Sequence, residues 1–196
     1  MSDDLMLLKK ELRRNALAKR RAMSHEQRDA ESHCIAELLK DFELYKKASC
    51  VFCYVSLEDE VHTTEIMEQV LRDGKKLCIP YIAEPQSRIM TAARVRALSE
   101  LTPGAFDILS VSEESYQEVS PQEIDFVVVP GTAFDRKGHR IGMGGGYYDI
   151  FLEKIPKAAL VAVAYESQVL EEIKVMDHDI PVDYLLLHNG IIKCSE

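Results

Sequence analysis

The sequence predicts an α/β fold: one domain over residues 1–196, built in three layers with a mostly parallel sheet flanked by helices on both faces. Two observations predict it. Short apolar runs with strand character alternate with segments patterned at helical spacing, which favours parallel strands covered on both sides. A glycine-rich loop then joins one buried run, 124–129, to a helical segment beginning near Tyr147, an arrangement that puts ligands beyond strand C-termini. The bulk numbers agree: 196 residues that are 46% hydrophobic and 29% charged can bury one proper core.

Each element has a local reason. Ser2, Asp3 and Asp4 can cap a helix whose Leu5, Leu8, Leu12 and Ala16 form one stripe, and Ser24 with Gln27 gives a capping box for a second. Residues 49–55 are short, apolar and aromatic, as in a buried strand. Thr63 or Thr64 then caps a helix ended by Gly74. Residues 76–80 and 88–95 are the next strands, 124–129 a buried one, 147–154 a helix and 159–164 a strand. Residues 184–187 and 191–193 flank Asn189-Gly190, a pair suited to a hairpin turn. The stretch 84–121 has weak periodicity and many turn residues, and reads as an insertion or flap within the single domain.

The formal charge of -9 opposes non-specific attraction to phosphate backbones and anionic lipid, so neither nucleic acid nor a membrane is expected as partner. No apolar run is long enough to span a bilayer, and the first ten residues carry no signal-peptide apolar region. Five cysteines in apolar contexts read as reduced thiols of a cytoplasmic protein. Cys50 and Cys53 mimic a metal or redox pair, but residues three apart in a strand point to opposite faces. The histidines show no paired metal spacing.

The chemistry concentrates in 130–149. Glycines 142, 144, 145 and 146 remove Cβ atoms that would keep a phosphate from backbone N–H groups, and the helix behind them adds a favourable dipole. The loop matches neither common nucleotide fingerprint: no Gly-Lys-Ser/Thr follows, and Tyr147 stands where a dinucleotide pattern needs glycine. Arg136, Lys137 and Arg140 weigh against a plain flexible loop. On the first helix, a rotation of about 100° per residue puts Lys9, Arg13 and Arg20 on one edge beside the leucine stripe and Lys10, Arg14 and Arg21 toward the other. Glu60 lies just past a strand end, where a carboxylate can meet a ligand's amide and amine edges. Tyr81 and Phe106 are aromatic candidates for a flat ring, with core packing the expected role of Phe106.

Read together, Pro-Gly-x-x-Phe-Asp at 130–135, Gly138-x-Arg140-x-Gly142 and Gly144-x-Gly146-Tyr-Tyr-Asp149 resemble the 5-formyltetrahydrofolate cyclo-ligase family. So do Lys9-Lys-Glu-Leu-Arg13, Glu60-Val-x-Thr63, Gly74-Lys-x-x-x-x-Pro80 and Gln168 through His178-Asp179, so that the likeness covers most of the chain. The resemblance implies ATP contacts at Lys9, Lys10, Glu11, Leu12 and Arg13, and at Arg140, Ile141, Gly142, Met143, Gly144, Gly145, Gly146, Tyr147 and Tyr148. It implies folate contacts at Val55, Glu60 and Tyr147, and Mg2+ contacts at Asp149 and Asp179. Lys9, Arg140 and Tyr147 are the residues implied for catalysis. Met143 and Gly145 depart from the pattern, since some relatives carry arginine and lysine there; this shifts phosphate binding onto Arg140 and the backbone.

The implied reaction uses ATP to turn the formyl oxygen of 5-formyltetrahydrofolate, with or without a polyglutamate tail, into a leaving group. N10 then attacks the iminium phosphate and 5,10-methenyltetrahydrofolate forms, with the protein acting as a monomer. No nucleophile–base–acid set is present, which suits chemistry driven by alignment and charge. Two other readings are a non-catalytic folate or nucleotide sensor, which would bind without phosphate release, and a sugar-phosphate isomerase or transferase, which would need no ATP.

Overall fold

The computed structural model describes residues 2–176 and 179–194. Its elements are α1 (Ser2–Arg21), α2 (His25–Asp41), α3 (Glu43–Lys47), β1 (Cys50–Cys53), α4 (Thr64–Arg72), β2 (Lys76–Tyr81) and β3 (Thr91–Val95). There follow β4 (Thr102–Pro103), β5 (Leu109–Ser110), β6 (Glu118–Val119), β7 (Phe126–Val129), β8 (Ala133–Asp135) and β9 (Arg140–Ile141). The chain finishes with α5 (Tyr147–Leu152), β10 (Ala159–Val163), β11 (Val169–Leu170), β12 (Tyr184–Leu187) and β13 (Gly190–Lys193).

Eight strands form the main sheet in the order β13-β12-β10-β7-β1-β2-β3-β6. The five from β12 to β2 pair in parallel, whereas β13, β3 and β6 join antiparallel at the two edges. The expected three-layer α/β architecture is therefore present. Strand pleating sorts the side chains: Val51, Cys53, Phe126, Val128, Val161 and Val163 enter one core with α2, α3 and α4. Cys50, Phe52, Val127, Val129, Leu160 and Ala162 enter the other, with α5. Cys50 and Cys53 thus lie on opposite faces. Both faces of the central strands are dry, which is why they read as continuous apolar runs rather than alternating ones.

A second, three-stranded sheet, β11-β8-β9, stands apart from the first. Against it α1 packs Ala16 and Leu12, with Ala133, Ile141 and Ile173. The first helix therefore seats on a small platform next to the glycine loop rather than on the main sheet. Among the described residues, no helix is long and apolar enough to cross a membrane.

Several local expectations are corrected. Ser2, Asp3 and Asp4 are already helical, so none is the N-cap of α1. Ser24 and Gln27 do form a reciprocal capping box. Thr63 occupies the N-cap of α4, but its hydroxyl donates to Tyr54 O at 2.8 Å and caps nothing. The strand expected from 88 starts at Thr91, because Arg88 turns left-handed at φ 56°. Gly190 pairs with Leu187, so the two turn residues of the last hairpin are His188 and Asn189. Within 84–121, β3 and β6 extend the main sheet while β4 and β5 form a separate hairpin.

Phe126 of the central β7 is wholly buried, with the Phe42 and Tyr45 rings edge-on at centroid distances of 6.4 and 5.9 Å. Truncating such a ring removes its transfer free energy and leaves a cavity. Phe126→Ala is expected to lower stability by about 3–5 kcal/mol, measured by chemical denaturation.

Candidate functional site

Chain direction along the sheet reverses between β1 and β7: β2 and β3 lie on one side of this pair, β10 and β12 on the other. Beyond the C-terminal ends of such a pair a crevice opens. From the β1 side come Val55 and the 56–60 turn. From the β7 side come Pro130-Gly131-Thr132, the β8–β9 hairpin and the glycine loop. Gln168 fixes that bend, its Nε2 donating to the Gly131 and Thr132 carbonyls at 2.9 and 3.2 Å.

The glycine loop is shaped by backbone need. Gly144 and Gly146 sit at φ 97° and 73°, a left-handed conformation that costs other residues about 1–2 kcal/mol. A Cβ at Gly144 would also touch the Arg13 guanidinium at 3.5 Å. Arg13 closes the loop from outside, its Nε donating to Gly142 O at 2.6 Å. Arg140, at the start of the loop, donates to Asp149 Oδ1 at 2.6 Å and lies 5.9 Å from the Tyr148 ring centre. Its Nε is buried with no hydrogen-bond partner. Burial pulls its guanidinium pKa below the usual range, and Asp149, Tyr148 and Asp179 oppose that. Lys9 pairs with Asp179.

These contacts gather Lys9, Arg13, Arg140, Asp149 and Asp179 around Gly142–Gly146. Lys10 and Glu11 are exposed on the far side of α1, and Leu12 and Ile141 are spent on the small hydrophobic cluster. Met143 is 58% exposed; its sulfur accepts from Thr132 Oγ1 at 3.5 Å. His178, which forms part of the resemblance, lies outside the described residues.

Tyr147 links the loop to the 84–121 stretch. Its hydroxyl donates to Pro85 O at 2.6 Å and its ring meets Phe106 edge-on at 6.0 Å. Phe106 is not in the core, as expected from sequence, but 57% exposed on a hairpin turn where it and Asp107 hold positive φ. Tyr81 stacks on Tyr116 at 4.2 Å.

Glu60 and Val55 are both buried. Glu60 Oε2 accepts from Leu57 N at 3.0 Å, its backbone carbonyl accepts from Tyr165 OH at 2.7 Å, and Oε1 is 3.5 Å from Arg20 Nη1. Burial raises the Glu60 pKa, opposed by Leu57 N and Arg20. Burial pushes the Tyr148 pKa up, with the Cys53 and Glu60 charges adding to it. Sequence reasoning gave Arg20 no role, although its register with Lys9 and Arg13 was the available signal.

The donor set fits the groups the resemblance implies. A buried Nε lacking a partner and left-handed glycines beside two more cations suit a polyphosphate. Asp149 and Asp179 both bear on Arg140, and a carboxylate pair completed by phosphate oxygens is an ordinary magnesium environment. Among the described residues, no group of three or more His, Cys, Asp or Glu side chains could bind a metal unaided.

Comparison with known proteins points one way. A profile described as the 5-formyltetrahydrofolate cyclo-ligase family matches residues 6–188. A Mus musculus protein named 5-formyltetrahydrofolate cyclo-ligase is 29% identical over 192 residues, covering 93% of this chain and 94% of its own length. An Escherichia coli protein of the same name is 27% identical over 166 residues, covering 84% of this chain and 91% of its own. The NMR structure of Aquifex aeolicus 5,10-methenyltetrahydrofolate synthetase superposes with a TM-score of 0.85 at 35% identity, over 96% of this chain and 94% of that one.

The Glu60 environment predicts a pH effect on stability. A carboxyl whose pKa is raised on folding favours folding while protonated and loses that contribution as it ionises. Wild type should therefore lose stability relative to Glu60→Gln as pH rises from the ordinary 4.5 through the raised Glu60 value. Urea midpoints across that window test this; a constant difference would refute it.

Proposed function

The chain belongs to the 5-formyltetrahydrofolate cyclo-ligase family, a family of ligases, and on that premise we propose that it converts 5-formyltetrahydrofolate to 5,10-methenyltetrahydrofolate, using ATP and releasing ADP and phosphate. One arrangement carries the reading. Arg13 and Arg140 bracket the glycine turn from two different elements, and the helix that carries Arg13 also holds Glu60 through Arg20. That juxtaposes an anion cradle and a buried carboxylate, as a reaction between a triphosphate and a pterin requires.

The chemistry calls for such a pairing. A formamide carbon is a poor electrophile because nitrogen donates into its carbonyl and the oxygen cannot leave. In the proposed route the formyl oxygen attacks the γ-phosphorus and ADP departs, giving an iminium phosphate. N10 then attacks the carbon and loses its proton, and phosphate leaves with the former formyl oxygen. Such transfer depends on in-line alignment and charge neutralisation more than on a covalent enzyme group.

Each residue has a task on this reading. Lys9, Arg13, Arg140 and the amides of residues 142–146 hold the phosphates. Arg140, with its free Nε, meets the charge that grows on the transferring group. Val55 lines the folate pocket, Glu60 accepts from the pterin amine and ring N–H, and Tyr147 closes over the substrate from the Pro85 side. Asp149 and Asp179 hold magnesium, which would neutralise phosphate charge. The protein acts as a monomer.

Purified protein with Mg-ATP and 5-formyltetrahydrofolate should produce the near-ultraviolet absorbance of the methenyl product together with stoichiometric phosphate. Binding without phosphate release would instead identify a sensor. Asp149→Asn should lower kcat by roughly 10²-fold, the scale of losing one preorganised charge contact, with the folate KM changing less than about threefold. Unchanged turnover at saturating magnesium would remove Asp149 from the metal site.

A further inference from the structure

α1 brings two cations to the glycine loop and a third to a different place. Arg20 lies seven residues beyond Arg13 and close to two helical turns from it, on the same edge of the helix. Its side chain is 1% exposed. Nη2 donates to Asp59 Oδ1 at 3.0 Å, Nη1 faces Glu60 Oε1 at 3.5 Å, and Nε is buried with no hydrogen-bond partner. Arg21, the exposed neighbour, donates to the other Asp59 oxygen at 3.1 Å. The 56–60 turn is thus fastened to the end of α1 through two adjacent acids.

The two acids differ in how far their oxygens are committed. Asp59 is gripped at both oxygens. Glu60 gives Oε2 to Leu57 N, whereas Oε1 has the Arg20 charge at ion-pair distance without a short hydrogen bond. An ionised carboxylate offers about four acceptor sites, so Glu60 keeps acceptor capacity while its charge is balanced from behind. Among the described residues, the other groups that bear on it carry no positive charge at neutral pH: Asp59 on the same turn, Tyr54 and Tyr148 at longer range, and Tyr165, whose hydroxyl donates to the Glu60 carbonyl. Without Arg20, burial and the Asp59 charge would push the Glu60 pKa further up and favour the protonated form, which donates as well as accepts. The pterin edge, with an amine and a ring N–H, needs the acceptor.

We propose that Arg20 is a positioning residue for the folate-binding step: it holds the Glu60 carboxylate in place as an ionised acceptor for the pterin edge, from the same helix that presents Lys9 and Arg13 to the nucleotide. The inference rests on the reading that Glu60 binds folate. Arg20 does not touch substrate; it acts through Glu60, and α1 becomes a rigid strut carrying determinants of both sites. A purely structural anchor would also sit here, but it would weaken binding equally at every pH.

The test is KM for 5-formyltetrahydrofolate and kcat at saturating Mg-ATP from pH 5.5 to 8.5, in wild type, Arg20→Met, Arg20→Lys, Glu60→Gln and the Arg20→Met/Glu60→Gln double variant. Arg20→Met should raise KM at pH 7 by roughly tenfold, as truncating one partner of a buried charge pair does, with kcat within about twofold. The pH at which KM climbs on acidification should move upward by about one unit. Arg20→Lys should restore part of that shift, and still reports should Arg20→Met not fold. Glu60→Gln should show a raised and pH-independent KM that the second substitution does not worsen. Arg21→Met, which removes only an exposed contact, should match wild type.

An Arg20→Met profile parallel to wild type, or Arg20 and Glu60 effects that multiply in the double variant, would overturn the proposal while leaving Glu60 a folate ligand. A wild-type KM in Glu60→Gln would instead remove Glu60 from the folate site, and the Arg20 inference with it.

Discussion

A guanidinium taken out of water must find anionic or carbonyl partners, and that requirement ties the pieces of this site together. Arg20 and Arg140 have side chains only 1% and 4% exposed. Leaving such a charge uncompensated costs several kcal/mol, whereas an exposed ion pair contributes about 0–1 kcal/mol. The pairs Arg20 with Asp59 and Glu60, and Arg140 with Asp149, are therefore the ones that decide geometry. Lys46 with Glu43 and Lys40 with Glu37, open to solvent on α3 and α2, decide little. Arg140 ties β9 to the first turn of α5, Arg13 ties α1 to Gly142, and Arg20 ties the end of α1 to the segment after β1. Three separate parts of the chain are held in register by charge.

The same logic explains what was legible in the sequence. Runs such as Phe126–Val129 and Ala159–Val163 announced the central strands because both sheet faces are buried there and every position must be apolar. The glycine loop was legible because Gly144 and Gly146 hold positive φ and a Cβ at Gly145 would meet the Tyr147 ring. The second sheet was not: β8, β9 and β11 hold two or three residues each, too few for any periodicity. Yet that platform is what turns the inner edge of α1 toward the loop. Lys9 and Arg13 could be placed only by resemblance. Arg20 shared their helical phase, but a basic run such as Lys19-Arg20-Arg21 near a helix C-terminus also suits the macrodipole, and only the fold shows the burial of Arg20.

Phe106 and Thr63 show a different limit. An aromatic residue between weak strands looks like core, but Phe106 sits at a turn with φ 59° and offers its ring to Tyr147. Thr63 has the composition of a cap, but the Tyr54 carbonyl at 2.8 Å claims its hydroxyl. In both cases a partner from another segment or an unusual backbone geometry outbids a local preference. Gly145 belongs with them: a Cβ there would come within 2.9 Å of the Tyr147 ring. Glycine at 145 thus lets Tyr147 lean back over the loop toward Pro85. The missing side chain at 145 and the placement of Tyr147 therefore go together.

On the proposed reading, the pairs now seen around the loop also constrain how nucleotide and metal arrive. Lys9 faces Asp179 and Arg140 faces Asp149, so two of the cations meant for phosphate are balanced by the acids meant for metal, while Arg13 rests on the Gly142 carbonyl. A triphosphate entering alone would set its charge against both carboxylates, and magnesium entering alone would compete with a lysine and an arginine for them. If the two entered together, Lys9 and Arg140 would turn to phosphate and Asp149 and Asp179 to metal, and each of these charges would keep a counterpart.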